Sequence, residues 1–298
     1  MASRVYTIAK KVTVVTGAGS GIGRAICQRF AADRAKVVAC VDIDVAAAQE
    51  TAALCSAAMT SAGSGPSAGG DGDDEPAQAF ALRADVSREG DIRRVITQVE
   101  RRAGPIDYFV ANAGILSDGG AEVANDEWQR IWGVNTMQHV YVARHLVPRM
   151  TAPLRPDGGC LVVTSSAAGL LTQIGSMAYS VTKAATVSAA EWLAITHGEH
   201  GLRVTCLCPQ AVETAMTAGI SGGGVAGVDG MITAEACADA LVESISRNEF
   251  LCLPHKEVKK YMKRKADDTN RWISGMQRLQ ARYDQVMKSA IWGEASKL

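Results

Sequence analysis

The chain has 298 residues, 47% of them hydrophobic, with 31 basic and 31 acidic side chains and a formal net charge of zero. That suffices for a large core in one big domain or two modest ones, and the neutral balance argues against a nucleic-acid or anionic-membrane partner. No apolar run reaches the roughly 18 residues of a membrane span, and because the first ten residues lead straight into a strand pattern no signal peptide is expected.

In chain order, "KVTVVTG" (11–17) reads as a buried strand ending at a glycine, and residues 21–33 carry helical spacing through Ile22, Ala25, Ile26 and Phe30. A second strand spans 35–42 and a second helix 45–59. Residues 79–86 form a third strand, followed by an amphipathic helix from Glu89 to about Arg102. The fourth strand is 107–114, and a long helical region runs from about Asp126 to Met150. "CLVVTSS" (160–166) is a fifth strand, and residues 176–197 are a long helix without proline or glycine. A sixth strand (202–209), a helix at 233–245 with Thr233 as N-cap, and a seventh strand (250–254) complete the pattern. Continuous apolar strands alternating with helices predict α/β architecture: a doubly wound, Rossmann-type sandwich of seven mostly parallel strands, with ligand at the C-terminal strand ends.

Two segments break this rhythm. Residues 60–76, "TSAGSGPSAGGDGDDEP", cannot bury a core and are expected to be a flexible insertion in a domain spanning 8–254. Residues 255–298 are expected to be a helical C-terminal extension. Lys259, Lys260, Lys263, Arg264 and Lys265 read as a solvated face rather than an anion-binding surface, and Trp272, Ile273, Met276 and Leu279 could pack the extension on the domain or a partner subunit. The eight cysteines are scattered without a CxxC, as expected of small buried thiols in a reducing cytoplasm, so a cytoplasmic location is expected. His197 and His200 read as a helix end rather than a metal site, and no metal is expected.

"TGAGSGIG" lies between the first strand and first helix, with glycines at 17, 19, 21 and 23 in a T-G-x-x-x-G-x-G pattern. Such a turn lets phosphate approach the backbone and the N–H groups of a helix start. Asp42 ends the second strand, where a carboxylate can accept hydrogen bonds from an adenosine ribose and repel a 2′-phosphate. With Ser20 where a cation would favour NADP, the pattern favours NAD; otherwise Asp42 is a turn-forming acid. "YSVTK" puts Tyr179 and Lys183 four residues apart on one helix face. The pair is either an ordinary surface pair or an acid with its tuner. A nearby ammonium lowers a phenol's pKa from about 10, bringing it into range for proton exchange.

Several ordered motifs over about 8–254 resemble the short-chain dehydrogenase/reductase family. "TGAGSGIG" resembles its cofactor loop, with Gly17, Ser20, Gly21, Ile22 and Gly23 as contacts. Asp85 and Val86 resemble its adenine-contact dipeptide. "ANAG", with Asn112, Ala113 and Gly114, resembles its N-N-A-G, Ala111 replacing the first asparagine. "CPQAVET" resembles P-G-x-V-x-T, with Gln210 for the glycine and Val212 and Thr214 placed to meet the nicotinamide carboxamide. The resemblance implies that Asn135, Ser166, Tyr179 and Lys183 are catalytic. Tyr179 would be the acid/base, Ser166 would hold the substrate oxygen, Lys183 would also bind the nicotinamide ribose, and Asn135 would organise a proton-relay water. Ser166 stands 13 residues before Tyr179, as the resemblance expects.

The function expected is NAD-dependent interconversion of a secondary alcohol and a ketone. The alternatives are a ketoacyl-thioester reductase using NADPH and a non-catalytic nucleotide-binding protein. Glycines crowd a substrate lid at about 213–232, together with Met216, Ile220, Val225, Val228, Met231 and Ile232, which points to a fairly apolar alcohol or ketone. A homo-oligomer, tetramer or dimer, is expected from the resemblance.

Overall fold

The computed structural model describes residues 6–62, 77–155, 158–219 and 221–295. Seven parallel strands form one sheet: β1 (Val12–Thr16), β2 (Val37–Asp42), β3 (Gln78–Arg83), β4 (Tyr108–Ala111), β5 (Gly159–Thr164), β6 (Leu202–Leu207) and β7 (Leu251–Cys252). They lie in the order β3-β2-β1-β4-β5-β6-β7. Their β-branched runs are buried on both faces, and alternate residues feed opposite layers. Val12, Val14 and Ala39 join one core, with Ile92, Val95, Leu146 and Val187. Val15, Val38 and Cys40 join the other, with Ile26, Phe30, Cys55 and Leu241.

The covering helices are α1 (Gly21–Ala32), α2 (Val45–Ala62), α3 (Glu89–Ala103), α4 (Asn125–Trp132), α5 (Gln138–Met150), α6 (Ala167–Leu171), α7 (Met177–His197), α8 (Ala234–Ser246), α9 (Glu257–Asp267) and α10 (Thr269–Ala295). The expected seven-stranded sandwich is therefore present. Thr233 caps α8 by accepting the Ala236 N–H at 3.1 Å.

Three local readings need correction. Helix α2 continues to Ala62, into the segment expected to be an insertion, because its alanines, serines and threonines offer no break before Gly63. Residues 63–76, the rest of that segment, lie outside the described residues. The seventh strand pairs with β6 only through Leu251 and Cys252, two residues of the five expected. The long helix at 126–150 is interrupted by a π-helical turn, Gly133–Met137, centred on Asn135. Such one-turn bulges shift side chains out of the regular α-helical register and recur at functional sites.

The C-terminal extension folds back beside α6. Val258 is fully buried with Ala167 and Leu171, and Tyr261, Met262 and Trp272 pack against them. Lys265 donates to the Leu170 carbonyl at 2.7 Å. Lys259, Lys260, Lys263 and Arg264 are exposed. The eight cysteines are buried free thiols, and no helix among the described residues is long and apolar enough to cross a membrane.

Candidate active site

The strand order reverses between β1 and β4, and in such sheets ligands bind in the crevice beyond the strand ends at that point. Here the two strand ends are stitched together. The Thr16 hydroxyl oxygen accepts the N–H groups of Asn112 and Ala113 at 2.9 and 3.1 Å, and the Asn112 amide donates to the Thr16 carbonyl at 3.1 Å. The glycine turn passes so close that a Cβ on Gly17 would stand 2.9 Å from the Ala113 Cα, and its φ of +66° suits glycine. A side chain here would push the turn off the strand end.

Asp42 closes the other side of the turn. One carboxylate oxygen accepts the Gly19 N–H at 2.8 Å and the other the Asp44 N–H at 3.0 Å. Ser20 precedes α1 without capping it by its side chain, and the first turn of α1 carries no acidic residue. Its N–H groups therefore have no intrahelical partner and no competing carboxylate, which suits a phosphate.

A cavity of about 800 Å³ joins these elements. It is lined by Gly17, Ser20, Gly21, Ile22, Gly23 and Asp42 at one end. Asp85, Val86, Asn112, Ala113 and Gly114 form its middle, and Ser166, Tyr179, Lys183, Val212 and Thr214 its far end. Among the described residues, its lining carries the cations Lys183 and Arg130, and Arg130 is committed to Glu127 at 2.7 Å. The dimensions and donors fit a dinucleotide. Thr164 and Ser165, which the sequence reading did not name as site residues, also line the cavity, as does Gln210. Thr164 is buried, and its hydroxyl lacks a partner among the described residues.

Asn135 does not line this cavity but stands directly behind it. Its amide oxygen accepts the Ile115 N–H at 2.9 Å, and its amide nitrogen donates to the Ile115 carbonyl at 2.9 Å and to Thr182 at 3.3 Å. Its own carbonyl accepts the Thr186 hydroxyl at 3.0 Å. The side chain clamps the loop after β4 to α7. The π-helical turn aims it there, and no spacing in the sequence announces that turn.

Ser166 caps the short helix α6. Its hydroxyl accepts the Ala168 N–H at 3.1 Å and donates to the Pro209 carbonyl at 3.3 Å. The Ser166 side chain acts to lower the Tyr179 pKa. Lys183 donates to the Thr164 carbonyl at 3.0 Å, with its ammonium 5.6 Å from the Tyr179 ring centre. Tyr179 is 9% and Lys183 3% exposed, so the ordinary surface pair is excluded.

Burial also reverses the expected tuning. It pushes Tyr179 above its ordinary value, with the Ser166 side chain opposing. It brings Lys183 down to about 8, with the thiols of Cys208 and Cys206 opposing. For both groups burial is the largest influence, because desolvation penalises the charged form. The glycine-rich lid region has a pinned base: Glu213 donates to the Ile232 carbonyl at 2.9 Å and Ile232 to the Ala211 carbonyl at 3.2 Å.

The short chain dehydrogenase family model matches residues 11–65 and 69–223. A 1-deoxy-11-beta-hydroxypentalenate dehydrogenase from Streptomyces exfoliatus is 32% identical over 267 residues, covering 89% of this chain and 90% of that protein. A meso-2,3-butanediol dehydrogenase from Serratia marcescens is 32% identical, over 70% of this chain and 74% of its own length. A crystal structure of a Burkholderia phymatum short chain dehydrogenase/reductase in complex with NAD superposes with a TM-score of 0.75. It is 25% identical and covers 89% of this chain and 96% of that one.

Proposed function

This chain belongs to the short-chain dehydrogenase/reductase family, whose members are nicotinamide-dependent oxidoreductases acting on CH–OH groups, and we propose that it uses NAD to interconvert a secondary alcohol and a ketone. The observation that carries this reading is one cavity lined at one end by Asp42 and the glycine turn and at the other by Ser166, Tyr179 and Lys183.

The adenosine ribose would sit against Asp42, whose carboxylate disfavours a 2′-phosphate, with the pyrophosphate on the first turn of α1. Asp85, Val86, Asn112, Ala113 and Gly114 would flank the adenosine and the inner ribose, and Val212 and Thr214 the carboxamide. Bound NAD+ supplies the hydride acceptor and a positive charge that favours phenolate at Tyr179. Ser166, fixed by Pro209 and Ala168, holds the substrate oxygen toward the phenol. Tyr179 takes the hydroxyl proton in oxidation and returns it to the ketone oxygen in reduction. Lys183, anchored on Thr164, contacts the nicotinamide ribose and supports the phenolate. Asn135 acts by positioning the loop after β4 and α7.

Replacement of Tyr179 by Phe tests the reading. Turnover of secondary alcohols should fall at least about a hundredfold, the usual worth of a general acid/base, while NADH affinity stays near that of the parent. Undiminished turnover overturns the assignment. Helix α7 leaves Trp192 60% and Ile195 81% exposed, an apolar face that supports the expected homo-oligomer and is tested by solution mass.

A further inference from the structure

A second cavity, of about 880 Å³, opens from Ser166 and Gln210 away from the glycine turn. Its inner wall is apolar: Ala167 and Leu171 of α6 and Val225 and Val228 of the lid region. Its outer wall is α10, which presents two stripes at helical spacing. Trp272, Met276 and Leu279 form an apolar one. Arg271, Arg278 and Arg282 form a cationic one, with Gly275 leaving the space between the first two open. Arg264 of α9 adds a fourth guanidinium to the lining.

The carboxylates that share this lining are already used. Asp267 is held by Lys263 at 3.0 Å, and Asp268 accepts the Arg271 backbone N–H at 2.9 Å at the start of α10. Among the described residues, no ion pair or side-chain hydrogen bond engages Arg271, Arg278 or Arg282. Arg271, Arg278 and Arg282 are exposed, but they line a cavity that begins at Ser166. With Arg264 they outnumber Asp267 and Asp268 there, giving a net positive field with forked donors suited to carboxylate or phosphate oxygens.

We propose that the substrate is amphipathic: a secondary alcohol or ketone at one end of an apolar body, and an anionic oxygen group at the other, bound by Arg271, Arg278 and Arg282. This rests on the dehydrogenase reading for the site at Ser166, and it revises the expectation of a simply apolar substrate. It also gives α10 a direct task, because that helix supplies the anion-binding wall.

The test is calorimetric titration of the NADH-loaded protein with octanoate, octyl phosphate and the neutral isostere octanamide, in the parent and in the Arg271→Ala/Arg278→Ala variant. Circular dichroism checks that the variant folds. At least one anion should bind about tenfold or more tighter than octanamide, by charge-assisted hydrogen bonding. The tighter of the two anions names the head group. That advantage should vanish in the variant, shrink with added salt, and partly return in Arg271→Lys/Arg278→Lys. Equal binding of all three ligands, or an anion preference that survives the double alanine variant, overturns the proposal.

Turnover of 7-hydroxyoctanoate and 2-octanol with NAD+ separates the two levels of the argument. If both are oxidised equally and the anions bind no better than octanamide, the dehydrogenase reading stands and the anion site falls. If octanoate or octyl phosphate binds through the arginines while no alcohol is oxidised, the anion site stands and the dehydrogenase reading falls.

Discussion

His139 lies one helical turn beyond Asn135, is 1% exposed, and has no hydrogen-bond partner on either ring nitrogen among the described residues. Burial, reinforced by the charge of Lys183, lowers its pKa from 6.5 to about 3. The imidazole must therefore stay neutral in the folded protein, whereas the unfolded chain binds a proton below 6.5. Stability from this residue is fully present above 6.5 and is lost as pH falls from there toward 3, where the loss levels off. Each pH unit in that window costs about 1.4 kcal/mol. Going from about pH 7 to about pH 5 should therefore remove about 2 kcal/mol, or about 4 °C in Tm for a chain of this size. The perturbation is His139→Met, close in volume and unable to titrate. Its Tm should fall less than the parent's over the same interval, by about that difference, as followed by circular dichroism. Burial also lowers the pKa of His255, but both proteins share that contribution and it cancels. Parallel pH profiles for parent and variant would refute the reasoning.

Four further outcomes are expected. Gly169→Ala should destabilise the protein by about 1–3 kcal/mol in urea unfolding, since its Cβ would stand 2.5 Å from the Lys183 carbonyl oxygen, where α6 packs on α7. Thr233→Ala should cost about 1 kcal/mol by removing the cap of α8. Asp42→Ala should raise the NADPH-to-NADH affinity ratio at least about tenfold, measured by fluorescence titration, because the carboxylate that repels a 2′-phosphate is gone. Asn135→Ala should lower thermal stability as well as turnover, since it frees the loop at Ile115 and strips a partner from Thr182.

The fold was legible because most strands are short apolar runs buried on both faces, and such runs alternating with helices admit few arrangements. The cofactor cavity was legible because glycines in a strand-to-helix turn, and an acid at the end of the next strand, each have a narrow physical use. Tyr179 and Lys183 gain meaning only from Ser166 upstream, and the Tyr179 pKa is raised rather than lowered as spacing suggests. Helical spacing gives proximity, whereas burial, which decides the sign here, depends on the lid region and on β5 and β6 far away in sequence. The π-helical turn at Asn135 was invisible because it comes from tertiary hydrogen bonds to Ile115, Thr182 and Thr186 rather than from local propensity. The arginine stripe on α10 is hard to see in the sequence because the lysine cluster of α9 is denser in charge. The period of Arg271, Arg278 and Arg282 mattered more than the local charge density.

The central claim is tested most directly by following NADH absorbance when the purified protein is mixed with NAD+ and, in turn, 2,3-butanediol, 2-octanol and 7-hydroxyoctanoate, with Tyr179→Phe and NADP+ run beside it. The account predicts NADH formation with at least one of these alcohols, its loss in the Tyr179 variant, and a much slower reaction with NADP+. Cofactor binding without turnover of any of them, or turnover that survives the loss of the Tyr179 hydroxyl, would contradict it.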